Sequence, residues 1–403
     1  MSHKAKIRLI LFAALGNMIA PFSIDTYLPS FPAIESHYQV SRDMLAASMG
    51  AYLAAFAITT LIWGPLADRF GRKKVATISL LGFAFSSGGC ALAATFDHFM
   101  LFRVLQGVLA GGVIIAARAM IRDSYPANEA QKAMAIVMMV FAVGPAIAPI
   151  IGGFLQLHFD WESIFWFLCA YGLLTLALIY FFIDETQNPE HIQSIAPKRL
   201  LISYGHSLKH PLFIRLVLAQ SFVFGGFFVY IAGSASLIFD HLKLGPEDFW
   251  IQFVPMVSGM VLGSFLAHQL SNRQSPLRMA NLAFLIGGSA TMLNLILVSF
   301  NDPHFWSVIP AISLYAFAVS LSLPVLSILA MDCLPEKRGM AASLQSLLQM
   351  GMAALISILV VPLVHASLIE MAVALLSMWL IGLLLWLSVY RQLPKLANQV
   401  QNF

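Results

Sequence analysis

The charges of this chain are spaced so widely that ten stretches contain no Asp, Glu, Lys or Arg: 44–67, 75–96, 133–159, 163–183, 216–239, 249–272, 279–301, 303–331, 339–369 and 371–390. The shortest holds 20 residues. At about 1.5 Å per residue, that is enough for a helix to cross a hydrocarbon core of about 30 Å. Two further segments, 7–30 and 100–121, are apolar apart from Arg8 and Asp25 in the first and Arg103 and Arg118 in the second. Twelve crossings are expected. Transmembrane strands would read as alternating stretches of about ten residues, and these stretches do not alternate. The expected class is an all-α membrane protein with twelve transmembrane helices in two six-helix halves.

Composition excludes the rival classes. Apolar residues make up 59% of the chain and charged residues 10%, against about a quarter charged in soluble domains. A mean hydropathy of +0.82 leaves too little polar surface for a cytosolic enzyme, a soluble nucleic-acid binder or a disordered chain. The net charge of +4 is uninformative, but its distribution is not. Alternate threading places 19 of the 23 Lys and Arg on the N-terminal side. Only Arg42 and Lys243 fall in the opposite loops. Both termini are therefore expected to be cytoplasmic. A cleaved signal peptide is the alternative for residues 1–20, but the apolar run continues through Asp25 to Pro29 without a small-residue cleavage site. Cys90, Cys169 and Cys333 are scattered and suggest neither a disulfide frame nor a metal site.

The longest charged interruption, 184–215, begins Asp184-Glu185-Thr186 and splits the chain six plus six. The expected organisation is a six-helix bundle over 1–183, a cytoplasmic linker over 184–210 and a second bundle over 211–403. Transporters built from such repeats place their sites near the bilayer midplane. His206 and His210 stand four apart and could pair on a metal, but no third ligand is near, and an interfacial helix is the simpler reading. There is no G-x-x-x-x-G-K-[ST], no H-E-x-x-H and no catalytic cluster within the helices. No enzyme, cofactor or metal is expected, and any transport must run on existing gradients.

Asp25 carries the chemistry. An ionised Asp at a helix centre costs roughly 2.5–3.5 kcal/mol on insertion scales and normally faces a bundle interior. It reads as a proton-binding group, since desolvation favours the protonated form, or as a structural carboxylate paired with a neighbouring helix or lying at the membrane edge. Asp25 lies about 6–10 Å below the outer face and Arg103 about 6 Å below it, so the two share a level. Arg103 could instead snorkel to the headgroups. Arg118 lies about 22 Å deeper and reads as a snorkelling or gate residue.

The loop after the second segment reads Gly64-Pro65-Leu66-Ala67-Asp68-Arg69-Phe70-Gly71-Arg72-Lys73-Lys74. A positive-inside anchor explains the basic residues but not the G-x-L-x-D-R-x-G-R-[RK] order. That order resembles the signature loop of the major facilitator superfamily. The resemblance implies a cytoplasmic latch formed by Gly64, Asp68, Arg69, Gly71 and Arg72, with Asp123 as the partner of Arg72. The segment Arg103-Val104-Leu105-Gln106-Gly107 and the segment Gly144-Pro145-Ala146-Ile147-Ala148-Pro149-Ile150-Ile151-Gly152-Gly153 resemble helix 4 and helix 5 motifs of the drug/proton antiporters. With Asp25-Thr26-Tyr27-Leu28-Pro29, they resemble the bicyclomycin and chloramphenicol resistance subfamily (Bcr/CflA). Some relatives carry a second carboxylate two turns before the first; here that position is Asn17.

Independently of the resemblance, two prolines four apart remove backbone donors, and Gly144, Gly152 and Gly153 allow close helix contact. That suits a seal, or plain small-residue packing. Asn17, Tyr52, Phe141, Phe227 and Tyr230 are the candidate substrate contacts. Few polar groups among many aromatics favour lipophilic, varied solutes. The expected function is proton-coupled multidrug efflux (drug/proton antiport) across the inner membrane by a monomer. Its partners are drug-like solutes, protons and lipid, with no nucleic acid. The rivals are a proton symporter, an exporter of an endogenous metabolite, and a receptor or scaffold that moves nothing.

Overall fold

The computed structural model describes residues 3–187, 204–271, 273–390 and 392. The expected linker over 184–210 lies largely outside the described residues. Twelve helices among them are long and apolar enough to cross a membrane, and the described residues contain no strand. We label these helices α1 (His3–Asp25), α2 (Arg42–Phe70), α3 (Arg72–Ala91), α4 (Phe96–Ser124), α5 (Ala127–His158), α6 (Glu162–Phe182), α7 (Pro211–Ala232), α8 (Trp250–Ser271), α9 (Pro276–Phe300), α10 (Phe305–Asp332), α11 (Arg338–Leu355) and α12 (Leu368–Tyr390).

The polarity of the helices is the reverse of a soluble protein's. Phe300 is 83% exposed, while Asn17, Asp25, Arg103 and Gln106 are buried. Apolar side chains on the outside face lipid at no cost, and polar groups inside must find partners there.

The chain divides into two compact units, Met1–Ile195 with Lys243–Phe253, and Ala196–Leu242 with Val254–Phe403. In the first, α4 packs against α2 and α3, α3 against α6, and α1 against α5. In the second, α7 packs against α12, α10 and α11, and α9 against α10 and α12.

Local signals set the helix ends. The α2 helix stops at Gly71, whose φ of +98° lies where side chains with a Cβ are strained. The next residue begins α3, so one glycine makes the whole turn. Thr95 caps α4 by accepting from the His98 N–H at 3.3 Å. His210 does the same for α7, accepting from the Phe213 N–H at 3.2 Å, which gives this histidine a structural task. Pro145 and Pro149 both lie inside α5. Each removes a donor, leaving the carbonyls of Phe141 and Pro145 without their usual partners four residues on.

Candidate functional site: a buried carboxylate, two membrane arginines and a helix-end ion-pair cluster

Regular helix ends at Asp25, the last residue of α1. The chain then turns through Thr26 and Tyr27 into a 3-10 turn, Leu28–Ser30. Asp25 is 3% exposed, and its Oδ1 has no hydrogen-bond partner among the described residues. The α4 helix brings Arg103 into the same region, fully buried. Arg103 Nη1 donates to Gln106 Oε1 at 2.7 Å. Gln106 Nε2 in turn donates to Ser87 Oγ of α3 at 2.7 Å. The guanidinium lies over two rings, 4.4 Å from the centre of Tyr27 and 4.8 Å from that of Tyr52. Cation–π contact of this kind partly offsets the loss of water around a buried cation.

Depth matching placed Asp25 and Arg103 at one level, but no ion pair joins them among the described residues. Arg103 is turned toward aromatic faces instead. Near Asp25 in sequence or space, Thr26 Oγ1, Ser30 Oγ and Arg103 Nε and Nη2 are also buried without a hydrogen-bond partner among the described residues. Buried polar atoms are nearly always satisfied, so this concentration makes the region a candidate functional site.

Fifteen residues beyond Arg103, Arg118 of α4 meets Asn17 of α1. Its Nε and Nη2 both donate to Asn17 Oδ1 at 3.2 Å. Asn17 Nδ2 donates to the Ala13 carbonyl at 2.8 Å. Of the other candidate substrate contacts, Tyr52 is buried against Arg103 and Phe141 is half-buried on α5. Phe227 and Tyr230 belong to the second unit. The Tyr230 hydroxyl donates a hydrogen bond to Asn294 Oδ1 at 2.7 Å, tying α7 to α9.

Of the residues expected to form a latch, Asp68, Arg72 and Asp123 are drawn together at the α2–α3 turn. Arg72 pairs through Nη1 with Asp68 and through Nε with Asp123 Oδ2 at 3.1 Å. Gly71 makes the turn, while Arg69 lies over the Phe70 ring at 5.3 Å. A Cβ on Gly64 would meet nothing within 4 Å among the described residues. Glu185 is the member that sequence reasoning missed. Its carboxylate accepts from the N–H groups of Arg72 at 2.9 Å and Lys73 at 3.0 Å, at the start of α3. An anion there satisfies orphan donors and complements the helix dipole. Gln187 also donates to the Asp68 carbonyl.

The α5 glycines sit where backbones touch. A Cβ on Gly144 would lie 2.8 Å from Pro21 Cγ. One on Gly152 would overlap the carbonyl oxygen of Thr26, and one on Gly153 that of Pro246. Gly152 therefore lets α5 press against the residue that follows Asp25. No cluster of three or more His, Cys, Asp or Glu suited to a metal occurs among the described residues.

Residues 13–358 match the Major Facilitator Superfamily. The bicyclomycin resistance protein homolog of Haemophilus influenzae is 28% identical over 89% of this chain and 90% of its own. The MFS-type transporter YdgK of Bacillus subtilis is 31% identical over 88% and 89%. Multidrug resistance protein MdtL of Shewanella oneidensis is 29% identical over 96% and 95%. The fold matches a bacterial homolog of the human lysosomal transporter Spinster, inward-facing and unoccupied, at a TM-score of 0.77 and 17% identity over 98% and 99% of the chains. A D-xylose-proton symporter matches at 0.72 and 17% identity over 95% and 97%. Twelve spans and bacterial relatives of matching length make this a multi-pass inner-membrane protein, and the chain belongs to the major facilitator superfamily.

Proposed function

We propose that the chain exports lipophilic, drug-like solutes in exchange for protons, with both termini in the cytoplasm. The observation that carries this reading is Asp25, a membrane carboxylate 3% exposed whose Oδ1 has no partner among the described residues. An unpaired carboxylate there is costly, and a proton removes that cost. Arrival of a solute that rewets or polarises the pocket restores the ionised form and releases the proton. Arg103, held by Gln106 and the rings of Tyr27 and Tyr52, supplies the fixed positive field against which the carboxylate ionises. The relatives named for bicyclomycin and multidrug resistance support drug-like cargo. The concentration of Lys and Arg on one side supports the orientation.

The direction of coupling is tested in proteoliposomes with an imposed pH gradient and a pH-sensitive dye. Antiport moves protons against the solute, symport moves them with it, and a receptor or scaffold moves neither. Proton movement in the direction of the solute would overturn export by exchange.

We assign the Asp68–Arg72–Asp123 group, with Glu185 on the α3 N-terminus, to the exchange between conformations rather than to solute binding. Asp68→Asn should slow transport while equilibrium affinity stays within about threefold, well below the tenfold that 1.4 kcal/mol would produce. Solute binding to purified protein, set beside initial efflux rates, separates the two. Lost affinity with normal turnover would contradict the assignment.

A further inference from the structure

We propose that Arg118 and Asn17 form an anion subsite, so that the preferred solutes are amphipathic molecules carrying one carboxylate or similar anionic group. This deepens the exporter reading and rests on it.

From residue 102 to residue 121, every residue of α4 except Arg118 is buried or half-buried, and exposure resumes only at Arg122, near the helix end. The apolar neighbours of Arg118 one turn away on the same face, Ile114 and Ile121, are buried, so the arginine faces an opening rather than lipid, which would expose them as well. Snorkelling does not account for it. Arg118 lies six residues, about 9 Å, before the end of α4. Helical side chains lean toward the N-terminus of their own helix, which here is away from the nearer membrane face. Its partner confirms that direction. Asn17 lies fourteen residues into α1, about 21 Å from its start, and is fully buried.

The pair is built by close packing. A Cβ on Gly16 would lie 3.1 Å from Val113 Cγ1 and 3.7 Å from Ala117 Cβ, so the glycine lets α1 approach α4 one residue away from each member. The Ala13 carbonyl takes the Asn17 amide N–H and leaves Oδ1 for the guanidinium. Two of the five guanidinium N–H groups then share one neutral oxygen. The remaining donors have no partner among the described residues, and no carboxylate lies within ion-pair distance of Arg118 there. A membrane cation with a neutral anchor and a free fork of donors is a receptor for a planar anion. Asp25 stands eight residues, about 12 Å, further along the same helix. The anion subsite and the proton carrier are therefore separate positions on α1.

The test uses three probes with one apolar body: naphthaleneacetate, naphthaleneacetamide and naphthylmethyl trimethylammonium. Their affinities for the full chain in detergent are measured by calorimetry at neutral pH. A charge-assisted, bidentate contact predicts that wild type binds the acetate at least about tenfold tighter than the ammonium, with the amide between. Arg118→Gln should erase the difference, and Arg118→Lys should keep part of it. Asn17→Asp, which sets a carboxylate on the guanidinium, should reverse the order. Equal affinity for the three probes in wild type overturns the subsite, as does absence of saturable acetate binding. So does an unchanged order in both Arg118→Gln and Asn17→Asp. If proton-driven efflux persists in any of these cases, the exporter reading stands and the anion subsite alone fails.

Discussion

Replacing Asp25 with Asn should abolish proton-driven efflux while neutral solutes still bind within about a factor of ten of wild type, the scale of one hydrogen bond. The amide is nearly isosteric and keeps hydrogen-bonding capacity in the same place, but it has no proton to exchange. Steady-state efflux from energised vesicles and equilibrium binding to purified protein read the two properties separately. Loss of both together would indicate a folding role for Asp25. Retention of both would remove it from coupling.

The second large effect is expected from Gly152→Ala. The added methyl would overlap the Thr26 carbonyl oxygen, which is backbone and cannot swing aside. Helix α5 must move away from the α1 terminus, and overpacking of this kind costs about 1–3 kcal/mol. Because Thr26 follows Asp25, the displacement reaches the proposed proton site, so coupling should fall along with thermal stability. Gly64→Ala is the matched control, since a Cβ there meets nothing within 4 Å among the described residues. It should leave stability unchanged or raised, by up to about 1 kcal/mol from helix propensity. Melting of both variants in the same detergent, followed by tryptophan fluorescence, checks the contrast. A Gly152→Ala protein as stable as wild type would remove the close approach from the account.

The twelve spans were legible because a membrane helix must be long and nearly uncharged, and that requirement is written locally. Asp25 and Arg103 stood out for the same reason, as costly residues in a low-dielectric interior. Their relation was not legible. Depth along a helix follows from residue counting, but the face a side chain occupies depends on which helices are neighbours. Arg103 therefore shared a level with Asp25 without pairing to it, and met Tyr27, Tyr52 and Gln106 instead. Asp68, Arg72 and Asp123 could be grouped only through a family motif. Glu185 carried no such signal, because it reaches the α3 N-terminus from 113 residues away. Its place in Asp184-Glu185-Thr186 marked only the end of a span. Tyr230 read as a candidate solute contact because aromatic residues in membrane helices look alike in sequence. The bond from its hydroxyl to Asn294 is a long-range fact. Arg118 was placed near the end of its helix by counting, but its partner Asn17 lies 101 positions away.

The claim at the centre of the account is that solute binding drives a proton off Asp25. It is tested most directly by adding solute to weakly buffered, detergent-solubilised protein and recording proton release from about pH 5 to 9, a range that brackets buried carboxylates. Wild type should release protons in a pH-dependent manner as solute saturates, and Asp25→Asn should bind the same solute and release none. Release from the Asn variant with wild-type pH dependence would show that another group carries the proton, and would contradict the account.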